Sequence, residues 1–231
     1  MEFQPATVQK QKPYKYSITY EPLAPANGRI RFSAKEIKHL TAAALLVVGV
    51  GLSVTLFPSF FYNTYAADYI VPAAFVVILT ISFFAHEIAH KVAAQRRGLW
   101  AEFRLTLLGA ILTLVSIIPS FFKIISPGAV MVAGFTDKEN MGKISIAGPI
   151  TNLIFSVTFL AGSFILSPFL PFQYETVLLI AAFFNAWIAL FNLVPFGIFD
   201  GFKIFQWNKK IWGLVFTSSL ILTIISYLLI W

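Results

Sequence analysis

The stretch FFAHEIAHKV, Phe83 to Val92, places His86, Glu87 and His90 beside an apolar run with no charge from Tyr69 to Ala85. On a helix, His86 and His90 lie one turn apart on one face, the spacing that lets two imidazoles share one metal ion. Glu87 sits next to them, within reach of a proton on a metal-activated water. As a bare pattern H-E-x-x-H also arises by chance, and its plain alternative is a polar patch facing the interior of a helix bundle. Ionisable residues inside a membrane span cost about 2.5–3.5 kcal/mol each on insertion scales. A group of three so close together therefore calls for a compensating ligand.

A catalytic zinc needs a third protein ligand and an open coordination position. The chain has no cysteine, and its remaining histidine, His39, falls at the surface end of the first apolar run. The ten acidic residues include Glu87 itself. Glu2, Glu21 and Glu36 belong to the N-terminal segment, and Asp68 and Glu175 to the side opposite the basic residues. Glu102, Asp137 and Glu139 lie on the correct side, in charged and exposed surroundings. Asp200, in FNLVPFGIFDGFKIF, follows a span running toward the side of His86 and His90. Pro195, Gly197 and Gly201 break the helix there, freeing backbone to bend toward a metal. The competing reading of Asp200 is an ordinary turn aspartate at the membrane interface.

These residues need a membrane scaffold. Of the 231 residues, 58% are hydrophobic and only 12% charged, with a mean hydropathy of +0.79; soluble domains lie near 45–50% and about 25%. The absence of cysteine excludes disulfides, thiolate metal sites and cysteine nucleophiles. The net charge of +7 is not a nucleic-acid signal. The basic residues gather before His39 or flank apolar runs, where anionic headgroups and topology account for them.

Residues 1–36 read as a basic cytoplasmic segment, with Asn27–Gly28 a turn between short extended pieces. Residues 37–231 form the membrane-embedded domain. Ser33 and Glu36 have capping-box spacing, so a helix starts near Ala34 and enters the membrane at about Leu40–Phe61. Further spans are expected at about 69–92, 144–166, 176–194 and 211–231. Residues 105–135 are apolar too, but Gly109, Pro119, Pro127, Gly128 and Gly134 interrupt them. If that stretch enters and leaves on one side, Lys123, Lys138 and Lys143 join all the other basic residues on the cytoplasmic side. The chain thus reads as an all-α polytopic membrane protein with about five transmembrane helices and a re-entrant segment. Its C-terminus is outside. Non-helical backbone at membrane depth survives only where protein or a watery cavity covers it. The runs AEFRLTLL and PGAVMVAG are strand-like, which makes the re-entrant segment a candidate β-hairpin. Arg96 lies about 15 Å beyond His86 along a helix, so the site is buried but nearer the cytoplasmic face.

HEIAH in one span followed by NLVPFGIFDG resembles the site-2 protease family of intramembrane zinc metalloproteases, whose second motif is matched by Asn192, Pro195, Asp200 and Gly201. AGPITN, with Gly148, Pro149 and Asn152, is a third match between them, so the resemblance covers roughly residues 69–203. It implies zinc, one per chain, on His86, His90 and Asp200, with Glu87 as general base, and cleavage of peptide bonds in membrane-embedded protein substrates. Asn152 and Asn192 could each donate to the oxyanion of the reaction. Buried Asn in spans also ties helices together or satisfies freed backbone, the preferred role of Asn192 beside Pro195. Two other functions fit the same ligands: a membrane metalloprotease that cuts aqueous loops or soluble peptides, and a non-enzymatic metal carrier. A carrier would show several ligand clusters along a path.

Overall fold

The computed structural model describes residues 30–56, 70–118 and 123–230. The Asn27–Gly28 turn, most of the basic N-terminal segment and the end of the first expected span lie outside these residues. In chain order the elements are α1 (Ala34–Leu56), α2 (Ile70–Gln95), β1 (Trp100–Leu105), α3 (Leu107–Val115) and β2 (Gly128–Ala133), then α4 (Lys138–Ser145), α5 (Ala147–Leu166), α6 (Phe172–Asn192), α7 (Asp200–Trp207) and α8 (Lys209–Ile230). Five stretches are long and apolar enough to cross a membrane: Ala34–Val54, Pro72–Gln95, Lys138–Leu166, Phe172–Asn192 and Lys209–Ile230. The protein is membrane-embedded. The third of these is not one helix, because Pro149 lacks the N–H that would continue the ladder and the chain breaks at Ile146 between α4 and α5.

The spans pack around α6. Its Ala181, Ala182, Ala186 and Ala189 are buried, and such small residues let neighbouring backbones approach closely. Val47 and Val50 of α1, Phe75, Leu79 and Phe83 of α2, Phe103 of β1 and Phe184 of α6 fill the main core. Phe75 and Phe184 meet at 5.2 Å between ring centres, and Phe83 meets Phe103 edge-on at 5.9 Å. The sheet is therefore packed into the core of the helix bundle.

Helix α2 ends at Gln95, and the chain turns into β1 through Gly98, whose φ of +73° only glycine adopts freely. β1 and β2 pair antiparallel from Trp100↔Ala133 to Leu105↔Gly128. The two ends of the re-entrant segment thus meet at one place. Its strand-like part is shorter than AEFRLTLL, because Thr106 accepts a bond from Gly109 N (3.2 Å) and starts α3, so Leu107 and Leu108 are helical.

Glu36 corrects two expectations. Ser33 does cap α1, accepting from Glu36 N at 3.1 Å. The Glu36 carboxylate, however, does not reach back, nor does it belong to an outlying segment. It is fully buried, receiving Lys91 Nζ at 2.5 Å and Phe103 N at 2.9 Å. Lys91 is 1% exposed and also bonds Ala101 O at 3.1 Å. Gln95 donates to the same carbonyl (3.3 Å), and His39 accepts from Leu105 N (2.9 Å). The outer edge of β1 is thereby closed by side chains of α1 and α2. By the alternation of a strand, the outward groups of β2 are those of Gly128, Val130 and Val132, and no described residue pairs them.

A third correction concerns Lys123. The helix ends carrying Lys35, Arg97, Lys138 and Lys203 do gather at the base of the hairpin, linked by Glu36–Lys91, Arg97–Asn140 and Gly142 against Trp207. Lys123 does not join them. It is buried, donating to Ser53 Oγ (3.0 Å) and Ser116 O (2.8 Å). Ser53 lies near the far end of α1, roughly 25 Å from Glu36 along the helix axis. Lys123 lies at that depth, where it satisfies carbonyls freed where α3 ends.

Removing one partner of a buried ion pair leaves an uncompensated charge and costs about 3–5 kcal/mol. Lys91→Met should therefore lower the thermal midpoint in detergent sharply. Combining it with Glu36→Gln should recover much of the loss. Additive losses in the double variant would mean that the pair does not couple α1 to α2.

Candidate metal centre

The apolar run of α2 makes it a helix, and that helix sets His86 and His90 one turn apart with their rings facing one side, both buried. Each ring is fixed through its far nitrogen. His86 Nδ1–H donates to Asn152 Oδ1, and Asn152 Nδ2 in turn donates to Asn185 Oδ1 at 2.9 Å. His90 Nδ1–H donates to Ile144 O at 2.9 Å, a carbonyl beside the α4–α5 break. A donating Nδ1 leaves a lone pair on Nε2. The two Nε2 atoms face each other at 3.1 Å. Two lone pairs at that distance repel, and a cation between them removes the repulsion.

Asp200 completes the group. Helix α6 ends at Asn192, and the freed Leu193 carbonyl is taken by Trp212 Nε1 at 2.8 Å. The chain then turns through Pro195 and Gly197 into α7, with Asp200 in its first turn. Gly201 lies so close that a Cβ there would meet Leu193 O at 2.1 Å. Only glycine lets α7 begin against the end of α6. Asp200 Oδ2 is 2.9 Å from His90 Nε2 and 3.6 Å from His86 Nε2. A tetrahedral ion with ligand bonds of about 2.0–2.1 Å has ligand atoms about 3.3 Å apart, so the observed triangle fits zinc.

Two further observations fit a metal. A Cβ on Gly148 would lie 2.3 Å from His90 Nε2 and 2.6 Å from His86 Nε2, so the residue must lack a side chain for the nitrogens to stay open. Glu87 is buried, and its Oε2 has no hydrogen-bond partner among the described residues. A carboxylate oxygen left orphaned beside the three ligand atoms is placed to hold a water. His86, Glu87, His90 and Asp200 line one cleft of about 400 Å³, together with Asn192, Lys203 and the length of β2 from Gly128 to Val132.

Among the described residues, His86, His90 and Asp200 are the group of three ligand atoms close enough to hold an ion, all within 4.8 Å of one another. The other acidic residues weighed from the sequence are used elsewhere. Asp137 caps α4 through Asn140 N (2.7 Å), and Glu139 pairs with Lys143. Glu102 is not exposed as expected; it is mostly buried against Arg104. Each Asn amide makes one donor bond, Asn152 as above and Asn192 to Ile188 O at 2.9 Å. Asn185 and Lys203 were not singled out from the sequence. AAFFNAW reads as lipid-facing or packing surface, although an Asn in an apolar helix is itself a sign of a buried polar contact.

This geometry agrees with one comparison. The chain is 32% identical over 190 residues to a Methanocaldococcus jannaschii protein named "Putative zinc metalloprotease", covering 80% of this chain and 91% of the relative. The chain belongs to this zinc metalloprotease family. The His86, His90 and Asp200 group is close enough to bind a metal ion, in keeping with the zinc of that relative's name. No family model matches the chain. No solved structure matches it either.

Purified protein should carry about one zinc per chain by elemental analysis, and both Asp200→Ala and Gly148→Ala should lose it, the second by filling the space beside the nitrogens. Full retention in Gly148→Ala would contradict the close approach of α5. A milder outcome is expected for Asn152→Ala, which removes the partner of a ligand histidine: metal affinity should fall about 10–100-fold in a competitive chelator titration.

Proposed function

We propose that the protein is an intramembrane zinc endopeptidase of the site-2 protease type, cutting peptide bonds in or near transmembrane segments of other proteins. The observation that carries this reading is the cleft, where the ligand group and Glu87 face a strand edge with unpaired backbone, within a bundle of membrane helices. A helical substrate hides its carbonyls in i→i−4 bonds, so its scissile stretch must unwind. Each N–H and C=O freed in hydrocarbon costs several kcal/mol unless paired. The outward N–H and C=O groups of Gly128, Val130 and Val132 offer those pairs by strand addition. The other edge of the hairpin is already closed by Glu36, His39, Lys91 and Gln95. A substrate strand is therefore directed to the side that faces Glu87.

His86, His90 and Asp200 would hold the zinc, which when bound acidifies a water toward neutral pH and polarises a carbonyl. Glu87 accepts the proton of that water through its orphaned Oε2 and returns it to the leaving amine. Asn152 and Ile144 O keep both imidazoles in the ligating tautomer. The hairpin base and the basic helix ends face the cytoplasm in this reading, against anionic headgroups. A metal carrier is less well supported, because the described residues contain one ligand group.

The test is proteolysis of single-span substrates in detergent, with cleavage sites mapped by mass spectrometry. Glu87→Gln should keep its zinc while turnover falls about 10²–10⁴-fold. Gly or Pro placed near the cleavage site of the substrate should speed cleavage. Val130→Pro or Val132→Pro, which delete outward donors, should slow it without releasing zinc. Cuts confined to aqueous loops and indifferent to helix breakers would favour the aqueous-loop protease. Zinc binding without proteolysis in the wild type would favour the carrier.

A further inference from the structure

Hydrolysis places negative charge on the carbonyl oxygen of the scissile bond, and preorganised donors at that oxygen are commonly the largest single contribution to catalysis. The two asparagines in the sequence motifs are the obvious candidates, and each already spends one amide N–H on a neighbour. Asn152 gives Nδ2–H to Asn185 and its Oδ1 to His86, and it is not among the residues lining the cleft. Asn192 lines the cleft but gives one amide N–H to Ile188 O, and neither asparagine carries a charge. Among the described residues lining the cleft, the remaining cationic donor is Lys203.

We infer that Lys203 is the oxyanion donor of this enzyme, an assignment that rests on the peptidase reading above. Lys203 follows Asp200 by one turn of α7, so both side chains stand on the same face. Asp200 presents Oδ2 to His90, while Lys203 Nζ lies 3.5 Å from the other oxygen, Oδ1. The ammonium is thus held one carboxylate away from the ligand nitrogens, on the cleft side. At 3.5 Å it is beyond the roughly 2.7–2.9 Å of a charge-assisted hydrogen bond, so Asp200 steers it without consuming its donors. Its side chain is 39% exposed. A lysine has three donors on a flexible stem, which allows it to swing from Asp200 onto a new anion.

The step balances within named groups. The water oxygen bonds to the carbonyl carbon, one water proton goes to Glu87, and the C=O π pair moves onto the carbonyl oxygen, where Lys203 donates a hydrogen bond. Collapse reforms C=O and breaks C–N, and the Glu87 proton goes to the departing nitrogen. Lys203 ends as it began. Its advantage over a neutral asparagine is charge. In a cleft lined mostly by apolar surface, an ammonium beside a developing oxyanion is screened less than it would be in bulk water.

The experiment uses the zinc-loaded protein in detergent and two probes: an internally quenched peptide of the mapped cleavage sequence, and a phosphinic peptide of the same sequence, which mimics the tetrahedral oxyanion. In Lys203→Met, zinc should remain at one per chain and KM should change little, while kcat falls about 10²–10³-fold. Affinity for the phosphinic peptide should fall by a similar factor, because that ligand carries the oxyanion charge. Binding of a simple hydroxamate chelator should not change. Lys203→Arg should restore part of both losses. Wild-type turnover in Lys203→Met would overturn the inference alone, with Glu87→Gln still inactive. So would loss of zinc and hydroxamate binding together, which would reduce Lys203 to support for Asp200. A rise in KM with kcat kept would make Lys203 a substrate-binding group, again against the inference. A wild type that hydrolyses no peptide would overturn the peptidase reading and this assignment with it.

Discussion

An ionisable side chain buried among apolar helices is tolerated only when its polar atoms find partners, and the architecture of this protein follows from meeting that demand. Three such groups enter on α2 within one turn and a half: His86, Glu87 and His90, with Lys91 immediately behind. Each imidazole takes one partner from the α4–α5 region, which fixes how that pair of helices must lie. Lys91 takes Glu36 and the edge of β1, which fixes α1 and the hairpin. Of these four, Glu87 alone keeps an oxygen without a partner among the described residues, and it is the group that the proposed mechanism needs free.

Two faces of α2 are therefore pinned by unlike means. On the Lys91 face a salt bridge and strand backbone hold the helix; on the histidine face, amide and carbonyl acceptors do so. A buried ion pair is weak evidence for stability in itself, since desolvation can cancel its attraction. Its value here is geometric. Glu36 joins the start of α1 to the strand whose far edge stays open, so the rotation of the catalytic helix and the position of the hairpin are set by the same contact.

Much of this was legible in the sequence. The five spans follow from hydropathy, because a span must be apolar over about 20 residues whatever it packs against. His86 and His90 follow from helical spacing, and Asp200 from the scarcity of ionisable residues able to reach them. What escaped was long-range pairing of residues that also had a good local explanation. Glu36 sits at capping-box spacing from Ser33, and nothing local shows that its carboxylate is needed by a lysine 55 positions later. Lys123 was placed by a rule that counts charges near span ends, and the rule is blind to a lysine that reaches the opposite end of α1. Gly148 and Gly201 stood in motifs, but the reason for each, an approach too close for a Cβ, exists only in three dimensions.

The close approach of Gly148 also decides how an ion could come and go. With the α5 backbone laid against the ligand nitrogens from behind, the metal has no rear passage past that helix. Its route lies through the cleft in front, the same mouth by which a peptide would reach Glu87. Loading and turnover then share one doorway: an engaged peptide traps the ion, and a chelator competes with substrate for entry before it competes for the metal. Inhibition by chelators would therefore be slow and substrate-protected, a matter of traffic rather than of affinity.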